Sequence, residues 1–177
     1  MNLSLSVRVA ESFNNKRITN IALTDLARIA ERSGFQNLCM RASMVGIHSP
    51  TGQAHKVRKV LNEHGLNVSM VTGDFAIPEN GVDGPECLQK ITPHLNLAET
   101  LHCDLIRICM KTEEDIPIAQ RAADEARERS IRLAHQSHTC SLFETVDGSL
   151  DILKKVNRPN FGLIYEPANL ALCGEDY

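Results

Sequence analysis

The chain repeats one beat along its length: a short apolar run, a polar turn, then a segment with helical spacing. The apolar runs fall at residues 3–9, 35–42, 66–71, 105–110, 131–134 and 161–165. The segments between them carry apolar residues three and four apart. Leu26, Ile29 and Ala30 share one face in the first, Val57, Val60 and Leu61 in the second, and Ala122, Ala123 and Ala126 in the fourth. The beat recurs every ~25–30 residues, the length of a βα unit. Strands that alternate with helices pair in parallel through right-handed crossovers. The fold class is therefore α/β, with about six βα units in a single domain over residues 1–177.

Local signals mark the boundaries. Thr24 can cap the first helix, and Gly34 stops it. A helix over residues 53–64 ends at Gly65, and Pro117 suits the first turn of a later one. Pro93 lies inside the segment 85–101 and predicts a kink or two short helices. The Gly-, Asp- and Pro-rich loop 72–84 is longer than most connections, which favours a binding or lid role. A last helix fits residues 149–156.

A closed (β/α)₈ barrel needs two more units and usually at least ~200 residues. Six units make either an open sheet or a barrel lacking its last quarter. The closing residues Gly174, Glu175, Asp176 and Tyr177 read as the start of another βα connection. They point to a TIM-barrel type domain without its last two βα units. Two unpaired strand edges would then be exposed. A homo-oligomer is expected, unless a longer protein supplies the rest.

Charge and composition narrow the partners. The formal net charge is −3, with Lys and Arg scattered among acids. No basic face gathers a polyanion, so nucleic acid is not an expected partner. No apolar run approaches the ~20 residues of a membrane span. The first ten residues lack the charged and apolar regions of a signal peptide. The six cysteines form no CxxC pair. They read as reduced thiols of a cytoplasmic protein, with Cys140 notable for lying near His138.

In parallel α/β folds, ligand sites sit at the C-terminal ends of the strands. The run 131–134 ends in His135, Gln136, Ser137 and His138, and the run 161–165 ends in Glu166, Pro167, Ala168 and Asn169. Gln136 and His138 share one strand parity and can both face the barrel interior, while His135 faces the helices and reads as structural. His138 can bind substrate oxygens, ligate a metal or relay a proton; a hydrogen-bonded core histidine is the alternative. Gln136 is a ligand, a substrate contact or plain polar lining. A carboxylate placed straight after an apolar strand is costly to bury without a cation or hydrogen bonds. Glu166 is therefore a metal ligand or a solvated loop acid. Arg41 and Arg107 can anchor a substrate anion or form structural ion pairs. His48, in a Gly-flanked loop, and Asp74 are candidate substrate contacts. Glu144, beside Thr145 and Asp147, reads as a helix cap. His55, His64, His94 and His102 receive no role. No GxGxxG follows the first strand, so dinucleotide binding has no support.

The His138 region, the stretch NRPNFGLIYEPANL and the closing GEDY resemble the xylose-isomerase-like TIM barrels. That group includes sugar isomerases and epimerases, inosose dehydratases, hydroxypyruvate isomerase and endonuclease IV-type repair enzymes. The resemblance covers most of the chain as a βα rhythm and is specific over residues 131–177. It implies a divalent metal, Mn²⁺, Mg²⁺, Co²⁺ or Zn²⁺, at the barrel mouth. It places metal ligation at Gln136 and Glu166, catalysis at Glu166 and His138, and substrate contact at Asn169. The family's pattern has Glu where this chain has Gln136, and its last two metal ligands fall beyond Tyr177. A Gln cannot accept a proton, so one general base is lost. The implied function is metal-assisted proton transfer next to a carbonyl of a small sugar or sugar phosphate. The alternative is a small-molecule-binding barrel with a degenerate metal site. Endonuclease IV-like repair ranks lowest, because it needs a His- and Asp-rich metal cluster and a basic face.

Overall fold

The computed structural model describes residues 2–73 and 86–176. Six strands pair in parallel and in sequence order: β1 (Ser4–Ser6), β2 (Asn37–Met40), β3 (Asn67–Thr72), β4 (Leu105–Ile108), β5 (Arg132–Gln136) and β6 (Phe161–Ile164). The helices are α1 (Leu23–Arg32), α2 (Gln53–Glu63), α3 (Glu86–Gln89), α4 (Ile91–Thr100), α5 (Asp115–Glu128), α6 (Val146–Val156) and α7 (Pro167–Leu172). Every neighbouring strand pair is parallel, as the alternating pattern requires. The sheet is an arc of a (β/α)₈ barrel, closed on neither edge among the described residues.

The strands put their two parities to different use. Leu38, Met40, Val68, Val71, Ile106, Ile108 and Leu133 face the helices and are buried. They pack on Leu26, Ala27 and Ala30 of α1, Val57 and Leu61 of α2, Leu95 and Ala98 of α4, and Ile152 and Val156 of α6. The apolar face of α5 is Ala119, Ala122, Ala123 and Ala126, so this helix can lie close to the sheet. The other parity lines the concave face and is mostly polar or small: Ser4, Ser6, Asn37, Cys39, Thr72, Arg107, Ala134, Gln136 and Gly162. Across that face Ser4 Oγ and Ser69 Oγ share a hydrogen bond of 2.6 Å.

Several expectations are corrected. The run 3–9 forms a strand only over Ser4–Ser6, and Val7–Ala10 turns into a 3₁₀ helix. Ser6 caps that turn by accepting from Arg8 N–H at 3.2 Å, and Val7 and Ala10 are buried in it. Helix α1 starts at Leu23 with Ala22 as its N-cap, so Thr24 lies inside it and caps nothing. Ile29 is 48 % exposed, and Ala27 takes its place on the buried face. The segment 85–101 does break in two: Lys90 separates α3 from α4, and Pro93 sits in the first turn of α4, where its missing N–H costs nothing. Strand β6 is a sheet edge, so Leu163 is 36 % exposed rather than buried. The loop 72–84 lies outside the described residues except for Thr72 and Gly73, and Asp74 lies outside them too.

Candidate functional site at the mouth of strands five and six

Register brings the candidate residues together. β5 and β6 pair through His135↔Leu163 and Gln136↔Ile164, so both strands end at one level. Ser137 N–H donates to Ile164 O at 3.1 Å and carries the pairing one residue further. Glu166 follows two residues after Ile164 and keeps its parity. Its side chain therefore meets Gln136: the Gln136 amide donates from Nε2 to Glu166 Oε2 at 3.2 Å. Both residues are half-buried. Glu166 is the N-cap residue of α7, with Pro167 at the first helical position, yet its carboxylate makes no cap hydrogen bond. The side chain stays turned toward Gln136.

His138 is also half-buried. Its Nδ1 lies 2.9 Å from Thr139 O. A carbonyl partner requires Nδ1 to carry the proton, so neutral His138 presents Nε2 as an acceptor. Asn169, one turn into α7, donates from Nδ2 to Ser137 O at 2.8 Å. It fixes α7 against the end of β5, and its side-chain oxygen remains on the same rim.

His135 has the structural place expected of it. Its ring is 1 % exposed and stacks on Phe143, with centroids 4.1 Å apart and planes at 7°. Its Nδ1 lies 2.6 Å from Gln136 O. Burial pushes its pKa down to about 3, so the ring is neutral across the physiological range.

Glu144 does not cap the following helix. Thr145 does, with its hydroxyl accepting from Gly148 N–H at 3.0 Å. The Glu144 carboxylate instead accepts from the N–H of Cys140, a residue in left-handed conformation at φ 59°. Helix capping chemistry selects a short side chain that can bend back on its own backbone, and Thr145 offers it one position later.

The remaining candidates lie elsewhere on the concave face. Arg107, in β4, is the register partner of Thr72 and Ala134. Its charge is felt at both Cys39 and His135. Burial raises the Cys39 thiol pKa, and Arg41 and Arg107 oppose that rise. Arg41 directly follows β2 and donates from Nε to Glu11 Oε1 at 2.6 Å; the two side chains are 11 % and 3 % exposed. His48 is exposed, 3.4 Å from Glu86. Glu11 had no place in the sequence reading. The available signal was positional: like Glu166, it is an acid that closes an apolar run.

Among the described residues, no three His, Cys, Asp or Glu side chains converge in a geometry that holds a metal ion. The pair Gln136 and Glu166 offers a carboxamide oxygen and a carboxylate. Two oxygen donors suit a hard cation that keeps most of its water, such as Mg²⁺ or Mn²⁺, and not a closed tetrahedral Zn²⁺ site.

No protein-family model matches the chain, and no curated protein matches it in sequence. Solved structures match its fold. The probable 3-DHS dehydratase AsbF from Bacillus anthracis superposes with a TM-score of 0.77 at 16 % identity, over 99 % of this chain and 66 % of that one. A D-psicose 3-epimerase, crystallised in the presence of D-fructose, gives 0.74 at 12 % identity, over 100 % and 67 %. A xylose isomerase-like TIM barrel protein from Mycobacterium smegmatis, in complex with magnesium, gives 0.70 at 16 %, over 96 % and 65 %. An AP endonuclease, family 2, from Brucella melitensis gives 0.67 at 18 %, over 92 % and 67 %. The chain thus spans about two thirds of the length of these proteins. Its fold is that of the xylose-isomerase-like TIM barrels, present as a six-stranded partial barrel. No described helix is long and apolar enough to cross a membrane.

Proposed function

On a chain with the fold of the xylose-isomerase-like TIM barrels, we propose a sugar isomerase or epimerase type of chemistry, the movement of a proton next to a carbonyl of a small polyhydroxylated substrate. The supporting observation is the pairing of Glu166 with Gln136 at the C-terminal ends of β5 and β6. Ligand sites of this fold class lie at that face. Glu166 is the proton acceptor. Gln136 holds one carboxylate oxygen by its amide, which fixes the direction of the other. His138 presents Nε2 to a substrate hydroxyl and can hold a proton there. Asn169 and Arg107 contribute further polar contacts, and Arg41 and His48 lie toward the opposite rim. A divalent cation, Mg²⁺ or Mn²⁺ by its donor set, would be held by Gln136 and Glu166. When bound, it supplies charge stabilisation to a carbonyl oxygen. This activity belongs to a cytoplasmic enzyme that forms a homo-oligomer and does not bind nucleic acid.

The test is hydrogen exchange into ketoses in D₂O with Mn²⁺ or Mg²⁺, followed by NMR. Exchange at the carbon beside the carbonyl is expected, and Glu166→Gln abolishes it. Ketose binding with no exchange would leave the second reading, a binding protein with a degenerate metal site. The neutral Gln136 in the position of an acid favours that alternative. Neither binding nor exchange would defeat both.

A further inference from the structure

A second polar site lies at the C-terminal end of β1. The segment after the 3₁₀ turn folds back on itself: Glu11 bridges Thr19, Ser12 N–H donates to Ile18 O at 2.8 Å, and Arg17 N–H donates to Asn15 Oδ1 at 3.0 Å. Beside this small loop lies an open cavity of about 400 Å³ lined by Arg8, Glu11, Ser12, Phe13 and Lys16.

Among the described residues the charges there do not balance. Glu11 is the one acid among the described residues that line the cavity, and it is already taken. Its Oε1 accepts from Arg41 Nε at 2.6 Å and from Ser43 Oγ at 2.8 Å, and its Oε2 faces Arg8 Nη1 at 3.5 Å. One carboxylate therefore serves two guanidinium groups. Lys16 adds a third cation. It is half-buried and makes no ion pair among the described residues. The Arg8 side chain is 52 % exposed and leans on Glu11 only at long range, so most of its hydrogen-bonding capacity points outward. At the tip of the loop, Phe13 is 97 % exposed, a large ring with nothing to cover.

We propose that this cavity binds the anionic group of a small molecule, a phosphate monoester or carboxylate, through Lys16 and Arg8, with Phe13 closing over its apolar side. The buried Glu11–Arg41 pair is the floor, and Lys16 and Arg8 are the donors. The site rests on the reading above, because it shares the ligand-bearing end of the sheet with Glu166. It narrows the substrate to a sugar that carries an anionic group.

The experiment is calorimetric titration of the full chain, first with inorganic phosphate, then with a ketose phosphate and its parent ketose. Phosphate is expected to bind and to weaken with salt. Lys16→Ala and Arg8→Ala should each weaken it by about tenfold or more, the value of one charge-assisted hydrogen bond. Lys16→Arg should retain it. The ketose phosphate should bind more tightly than either phosphate or ketose alone. Both alanine variants change partly exposed residues, and circular dichroism confirms their fold. No phosphate binding at roughly 10 mM, an affinity too weak to orient a substrate, or affinity unchanged in both alanine variants, overturns the proposal. If only this inference fails, Glu166-dependent exchange persists. If only the isomerase reading fails, phosphate binding at Lys16 and Arg8 persists.

Discussion

The Gln136 amide lies 3.2 Å from the Glu166 carboxylate, across the last strand pair of the sheet. A neutral donor stands where a second carboxylate would give the mouth its cation affinity. Replacing it tests whether the pair is a weakened metal site. Gln136→Glu sets two carboxylates side by side, and their repulsion in a half-buried place holds one of them protonated. A divalent cation relieves that repulsion. The variant is expected to gain Mn²⁺ affinity by about tenfold or more, equivalent to ~1.4 kcal/mol, and to melt lower than the parent in EDTA. Equal Mn²⁺ affinity in both proteins would show that the pair does not hold a cation.

His135 makes the fold acid-sensitive. Its pKa is about 3 in the folded chain because of burial. It is near 6.5 when the chain unfolds. The unfolded state therefore binds a proton first as the pH falls. The stabilisation is complete above about pH 6.5 and is lost as the pH drops toward 3, at ~1.4 kcal/mol per pH unit and on the order of 5 kcal/mol in all. Burial lowers His94 too, in the same direction. His135→Phe keeps the stack on Phe143 and removes the titrating ring. Urea unfolding between pH 7 and 4 should show a slope shallower by about one proton. An unchanged slope would mean that His135 is protonated in the folded state.

The parallel α/β sheet was legible from periodicity, whereas the placing of Gln136 and Glu166 in one site came from the family resemblance. Period two assigned Gln136 and His138 to one parity, and the register of β5 with β6 is what brings Gln136 to Glu166. Competition between local options was less legible. The run 3–9 alternates like a strand, but the Ser6 hydroxyl captures Arg8 N–H and turns the backbone into a 3₁₀ helix. Ile29 fits the apolar spacing of α1, but the smaller Ala27 wins the buried face. Long-range pairing was not legible at all. Arg41 finds Glu11 thirty positions earlier, and nothing in the local sequence of either marks the other. A buried run and an edge run also look alike, so the apolar run 161–165 does not announce that Leu163 is exposed.

Gly73 tests how tightly the end of β3 is packed. Its N–H donates to Arg107 O at 3.0 Å, which extends the pairing of β3 with β4 past Thr72. A methyl group built there would meet Cys87 Cβ at 2.8 Å, with the sulfur closer still, and Arg107 O at 3.3 Å. Cys87, in α3, is fully buried, so it cannot swing away without disturbing its neighbours. Gly73→Ala should therefore cost about 1–3 kcal/mol through overpacking. Cys87→Ala removes the sulfur that meets the new methyl. The double variant Gly73→Ala, Cys87→Ala should be more stable than the two single effects predict by addition, by roughly 0.5–3 kcal/mol. Denaturant titrations of the four proteins measure this. Strict additivity would show that the cost of Gly73→Ala comes from the carbonyl of Arg107 and not from Cys87.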